Sequence, residues 1–276
     1  MSDLHAISLD WQDFRPCLVV YDKDTGEVSD FDFWAVDFNV SHESRCVGSW
    51  HGGEYVPCPD SLIVKGGSVC DSCASAFIAD LDCVFEPRCN GEECGMQFCA
   101  QEHAIYLAFH GHVAKVGLTA SRRLKQRMIE QGADAYSVIA KVKGRKAART
   151  MEIAIADELS LRQRVREIES LAAMTEPSSD EEIEADFAGL AERLENFGHS
   201  PSELRFLENY PIRLPLKRMP GMVKPGGRHR GKAIGVKGKF LIYENGGLNA
   251  LNLQYLAGRF ISDGRERAAR PLECWQ

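Results

Sequence analysis

The run HAIYLAFHGHVAKVGLT, residues 103–119, decides how the chain is to be read. Its two short apolar segments, 104–109 and 113–118, carry β-branched and aromatic side chains and flank a turn over 110–112, so the spacing predicts a β-hairpin. Downstream, RRLKQRMIEQ places Leu124 and Met128 four apart for burial and turns its arginines and lysines outward, with Ser121 as the expected cap and Gly132 as the stop. Residues 135–142 read as a third strand. A long helix is expected over 147–172, with Met151, Ile155, Leu159 and Ile168 as its buried stripe. The order is β-β-α-β-α.

Immediately upstream the texture changes. Eight of the ten cysteines lie between Cys46 and Cys99, in a stretch rich in Gly, Pro and Asp with little hydrophobic periodicity. Order there must come from something other than an apolar core, and metal is the obvious source. Cys70 and Cys73 have the two-residue separation that lets both sulfurs approach one tetrahedral ion, and Cys46 and Cys58 complete a four-thiolate set. Cys83, Cys89, Cys94 and Cys99 form a second set, for which His103 is a competing ligand. Two closed zinc sites would be structural, leaving no position for a reacting water. Iron–sulfur ligation, a redox pair at Cys70 and Cys73, and free buried thiols are the other readings of the same residues.

Further out, CLVVYD from Cys17 and FDFWAVDFNV from Phe31, separated by DKDTGE, suggest a β-hairpin or a pair of edge strands. TEPSSDEE reads as a linker into an acidic helix with Ile183, Phe187, Leu190 and Leu194 on one face. Ser200-Pro201-Ser202-Glu203 has the form of a helix start. After Pro211 short apolar runs alternate with glycine turns, and N- and C-terminal strands are expected to pack together. The expected class is α+β in five stretches: an N-terminal β segment (1–45), a cysteine-rich zinc-binding region (46–103), the β-β-α-β-α domain (104–172), an acidic helical insertion (173–210) and a β-rich C-terminal unit (211–276).

The 276 residues carry 33 Lys and Arg against 40 Asp and Glu, a net charge of −7, with 44% hydrophobic residues and a mean hydropathy of −0.26. That composition fills a core and excludes a fibrous or disordered chain. The charges are segregated: ten basic residues lie between Lys115 and Arg149 and nine between Asn209 and Tyr243, whereas eight acids lie between Glu176 and Glu195. Segregated basic tracts suit a phosphate backbone, although the second could equally pair with the acidic helix, which is itself a candidate surface for a protein partner. No run approaches the roughly 18 apolar residues of a membrane span, and MSDLHAISLDWQD lacks a basic start and an apolar segment, so no membrane partner and a cytoplasmic location are expected.

Ala104-Ile105-Tyr106, the run Lys115-Val116-Gly117-Leu118-Thr119, the arginines at 122, 123 and 127, and Glu152 inside a helix together resemble the GIY-YIG nuclease superfamily over about 60 residues. By that resemblance Tyr106 matches the first tyrosine, Gly117 the second motif's glycine, Arg127 or Arg123 the arginine and Glu152 the metal ligand. Ala104 replaces a glycine, and Lys115 stands where a second tyrosine is usual. Most of the chain, from Cys46 to Phe260, is also similar to an uncharacterised zinc-binding family known as a domain of unknown function.

The resemblance implies a Mg²⁺- or Mn²⁺-dependent phosphodiesterase acting on DNA or RNA. Tyr106, Arg127 and Glu152 are then central, Lys115 and Arg123 assist, and Tyr106 serves as a base only with a pKa lowered by neighbouring cations or metal-bound water. The other reading is a nucleic-acid-binding zinc protein that keeps the fold without the chemistry, as Lys115 in place of tyrosine suggests.

Overall fold

A computed structural model describes residues 4–51, 53–74, 83, 86–93, 95–263 and 270–271. The chain begins with β1 (Leu4–Gln12), β2 (Arg15–Asp22), β3 (Val28–Phe31), β4 (Asp37–Val40), β5 (Ser49–His51), β6 (Glu54–Val56) and a one-turn helix α1 (Asp71–Ala74). Its middle carries α2 (Gln97–Ala100), β7 (Glu102–His110), β8 (Val113–Ala120), α3 (Leu124–Gln131), β9 (Ala135–Lys143), α4 (Arg145–Glu158), α5 (Glu167–Thr175), α6 (Asp180–Asn196) and β10 (Arg205–Phe206). The last part holds β11 (Gly221–Met222), β12 (Gly227–Arg230), β13 (Lys232–Lys237), β14 (Phe240–Glu244), β15 (Leu248–Asn252), β16 (Phe260–Asp263) and β17 (Arg270–Pro271). The class is mixed α+β, in two compact units, 1–79 with 220–276 and 80–219.

The first unit draws its sheets from both ends of the chain. A seven-stranded sheet runs β12-β4-β16-β1-β2-β3-β17, and a four-stranded one runs β11-β15-β14-β13. β1 and β2 form a hairpin paired from Leu4↔Asp22 to Gln12↔Arg15, with a shift of register between Ala6 and Ser8. Pro16 to Val20 are all buried, as befits a strand covered on both faces. CLVVYD is therefore not an edge strand, because LHAISLDWQ supplies a second partner on its other side. DKDTGE does turn the chain from β2 into β3: the Asp22 N–H donates to the Glu27 carbonyl and the Gly26 N–H to that of Asp22, both at 2.9 Å.

The second unit is built on the antiparallel sheet β10-β9-β7-β8. Its central strand β7 is buried at every residue after Glu102. Ile105, Leu107 and Phe109 share one face, as the period of two requires, and pack with Ile155 and Leu159 of the α4 segment and Ile183 and Leu194 of α6. The acidic helix is thus part of this core, with its charges outward. Ser179 caps it in a reciprocal box with Glu182. Gly132 closes α3 in the left-handed conformation at φ 73°.

Three local expectations are corrected. Ser121 does not cap α3; a 3₁₀ turn over Ser121–Arg123 precedes the helix, and its first residues have no side-chain cap. The long helix ends at Glu158, because Ser160 takes φ 53° and the chain turns back so that the Val116 N–H donates to the Arg162 carbonyl at 3.1 Å. That bridge serves backbone groups of β8 that a continuous helix would leave unpaired. Ile168 is consequently exposed. Ser200 to Glu203 is not helical: the Ser202 N–H donates to the Val138 carbonyl at 2.7 Å, and its Oγ accepts the Val138 N–H at 2.9 Å. The capping chemistry of Ser202 is spent on β9 instead.

Candidate functional site

In the first unit, Cys46 precedes β5, Cys58 follows β6, and Cys70 and Cys73 flank the start of α1. The hairpin and the helical turn bring the four sulfurs within 4.8 Å of one another. Among the described residues this is the one group of three or more metal-ligating side chains gathered so closely. The Cys58 and Cys70 sulfurs are 3.9 Å apart, close to the ~3.8 Å edge of a tetrahedron with zinc–sulfur bonds of about 2.3 Å. N–H groups of Gly48 and Cys70 donate to the Cys46 Sγ at 3.4 and 3.2 Å. Gly48 is required: at φ +77° its Cβ would stand 2.9 Å from the Cys58 nitrogen and closer still to the Val56 carbonyl.

The electrostatics of the four thiols call for a cation. Burial raises the pKa of Cys46, and burial with the neighbouring thiols raises that of Cys73. Cys58 goes the other way: burial opposes ionisation, but backbone N–H groups of Leu62 and Asp60 and side-chain hydrogen bonding with Cys46 and Cys73 outweigh it. Four thiolates so close together are stable only around a positive ion. The donor set fits a closed structural site for a soft ion of the zinc kind.

Of the second set, Cys94 lies outside the described residues. Cys89 and Cys99 are buried, Cys83 is half-buried, and His103 is fully buried on β7.

The second unit brings together residues far apart in sequence. Tyr106 on β7, Lys115 on β8 and Glu152 on α4 are all buried. Gln131 of α3 donates its Nε2–H to the Tyr106 hydroxyl at 2.9 Å, and the Lys115 Nζ stands 5.7 Å from the Tyr106 ring centroid. Arg127 is the arginine whose charge acts on both Tyr106 and Lys115, and Arg123 and Arg127 both pair with Glu130, at 2.8 and 3.5 Å. Arg149 was not anticipated. Its guanidinium donates to Glu152 and Gln163 at 2.8 Å and to Glu86 at 2.7 Å. Its place three residues before Glu152, on the same helical face, was the available signal.

Burial raises the pKa of Tyr106 despite the Gln131 hydrogen bond and the Arg127 charge. Lys115 moves toward neutrality instead. Burial, with repulsion from Arg127, brings it from 10.5 to about 8, against the opposing pull of Glu152. Glu152 is raised, since burial outweighs Arg149 and Lys115.

The C-terminal basic tract is partly internal. His229 is buried between the Tyr243 hydroxyl and the Pro225 carbonyl, at 3.1 and 2.9 Å, and Lys237 is buried too. Arg228 pairs with Asp37 at 3.0 Å. No helix among the described residues is long and apolar enough to cross a membrane.

A mixed α+β chain with a four-cysteine centre able to hold a metal ion is the class these features define. The family model described as "Protein of unknown function (DUF2797)" matches residues 35–260, and the chain belongs to that family. Comparison with curated proteins and with solved structures gives no match.

Proposed function

We propose that the chain is a zinc-stabilised nucleic-acid-binding protein whose central unit grips a phosphodiester at the cluster of Tyr106, Lys115, Arg127 and Glu152. One observation carries this reading: Arg149 bonds Glu152 at 2.8 Å while the Lys115 ammonium acts on the same carboxylate. These residues do not fit a resident divalent cation, because the Glu152 carboxylate is already bonded by Arg149, which it shares with Glu86. Arg122, Lys125, Arg127, Lys141, Lys143 and Lys146 are exposed in the same unit, Arg127 pairing with Glu130 at 3.5 Å and Lys141 with Glu102 at 3.7 Å. Such a set supports salt-dependent contact with a phosphate backbone.

A second reading, the divalent-metal-dependent phosphodiesterase, is favoured by Lys115. An amine whose pKa is brought to about 8 is in its free-base form near neutral pH in a far larger fraction than the Tyr106 phenol, whose pKa is raised, is in its phenolate form. This reading requires Arg149 to release Glu152.

Labelled single- and double-stranded DNA and RNA, titrated from low to moderate salt and then incubated with Mg²⁺ or Mn²⁺, separate the two. The binding reading expects affinity that falls by tenfold or more over that range, weakens further in Arg127→Ala, and is accompanied by no cleavage. Cleavage by the wild type that Glu152→Gln lacks would replace it with the phosphodiesterase. Salt-independent or absent binding without cleavage would remove both.

A further inference from the structure

His103 stands second on β7, paired with Ala120 and Val142, and its ring is fully buried. Its Nδ1 lies 3.0 Å from the Gln101 carbonyl, so the ring's N–H is donated there and Nε2 is left with a lone pair. That Nε2 is buried and has no hydrogen-bond partner among the described residues. A buried acceptor without a donor costs free energy, and an imidazole anchored through Nδ1 to a carbonyl is the form in which histidine binds a metal.

The cysteines before it repeat the local construction of the first centre. Cys46 accepts the N–H of Gly48 at 3.4 Å, and Cys89 accepts that of Gly91 at 3.3 Å. Both glycines are left-handed, at φ +77° and +100°. Both are closed to a side chain by the backbone that carries the next described ligand. A Cβ on Gly48 would lie 2.9 Å from the Cys58 nitrogen, and one on Gly91 would lie 3.0 Å from the nitrogen of Ala100, the residue after Cys99. In each case a Cys-x-Gly turn points an amide at its sulfur and admits the neighbouring cysteine segment at close range.

The anchor on His103 is joined to the same turn. Asn90 accepts the Ala147 N–H at 2.9 Å and packs against Gly144, and the Gly144 N–H donates to Gln101 O, the carbonyl that fixes His103. Cys89, Cys99 and His103 are therefore held on one small framework at the start of α4.

We infer that Cys89, Cys99 and His103 are ligands of a second structural metal centre, for an ion of the zinc class, separate from that of Cys46, Cys58, Cys70 and Cys73. Two thiolates and a neutral imidazole are borderline-soft donors suited to tetrahedral zinc. Cys83, whose carbonyl is held by Arg145 at 2.7 Å, is the remaining thiol of the same run among the described residues and the candidate for the fourth ligand. The ligand atoms of this set are not gathered within 4.8 Å as the first four sulfurs are.

The test is metal content of the full chain purified with zinc, by elemental analysis, beside zinc X-ray absorption on the wild type. Two equivalents per chain are expected, falling to one in Cys99→Ser and in His103→Asn, with the first centre's zinc reporting that each variant has folded. Cys70→Ser should also keep one, and the double variant Cys70→Ser/Cys99→Ser none. The wild-type absorption needs no variant to fold and should show nitrogen alongside sulfur. One equivalent in the wild type, or two retained in Cys99→Ser, overturns the centre. An all-sulfur shell, or two equivalents retained in His103→Asn, removes His103 from it. None of these readouts depends on nucleic acid.

Discussion

The ring of Tyr106 lies on Gly117: the two are register partners across β7 and β8, and a Cβ at Gly117 would stand 2.6 Å from the Tyr106 hydroxyl oxygen. A glycine on a strand opposite an aromatic residue lets the ring cover the neighbouring backbone, which holds the hydroxyl toward Gln131. Gly117→Ala must displace a buried ring and should cost about 1–3 kcal/mol in denaturant unfolding. Gly189→Ala is the control, since that glycine lies inside α6 with nothing within 4 Å of the added carbon. It should stabilise by about 0.4–1 kcal/mol. Equal effects of the two substitutions would mean the Tyr106 ring has room to move.

Lys115 is an ammonium held where burial disfavours its charge, with its pKa brought from 10.5 to about 8. Between those values the unfolded chain binds more protons than the native one, so this contribution to stability is complete above 10.5 and is lost as pH falls through 8. Lys115→Met, which keeps the side chain's length without the charge, should therefore raise stability at pH 7 by about 1–3 kcal/mol and gain little above pH 10. Thermal melts across that range read the difference. If the variant is less stable at pH 7, the attraction of Glu152 outweighs the desolvation of Lys115.

The hairpin, the third strand and the Gly132 stop were legible because each rests on short-range chemistry: period-two apolar runs and a left-handed cap. Cys46, Cys58, Cys70 and Cys73 were legible because thiols in a core-poor stretch have few other uses. What was not legible depends on partners distant in sequence. Ser202 has every mark of a helix start, but β9 offers it a backbone edge. The helix expected to run on from α4 stops near Ser160 because β8 needs the Arg162 carbonyl. That N- and C-terminal strands meet was expected, but the insertion of β16 between β4 and β1, across more than 200 residues, is carried by no local pattern.

The four-thiol centre makes a prediction about folding. The segment from Cys46 to Cys73 has a small apolar core of its own, in which Val64 packs against the thiols. Metal binding and local folding should therefore be one event. Cys70→Ser, or a strong chelator on the wild type, should lower Tm by on the order of 10 °C. Gly48→Ala should act in the same direction without touching a ligand, because it pushes the Cys58 segment away from Cys46. An unchanged melting curve after verified loss of metal from this centre would show that the sulfurs pack adequately as thiols.

Arg149 bridges Glu152, Gln163 and Glu86, and its removal leaves Glu152 buried beside Lys115 with no hydrogen-bonding cation. The Glu152 pKa is already raised by burial, so in this pH range the native chain holds its proton more tightly than the unfolded one. Stability from this group is therefore greatest near or below pH 4.5 and falls as pH rises through the folded value. Arg149→Gln should push that value higher still. The variant should lie near wild type at pH 5 and lose about 3 kcal/mol or more by pH 8, whereas Arg149→Gln/Glu152→Gln should recover much of the loss. Melts with and without Mg²⁺ add a second readout. If Arg149 keeps a divalent ion off the carboxylate, Mg²⁺ raises the Tm of Arg149→Gln and leaves the wild type and the double variant where they were. A wild type that responds to Mg²⁺ while Glu152→Gln does not would mean the pair opens unaided, and the cluster would then carry a resident ion after all.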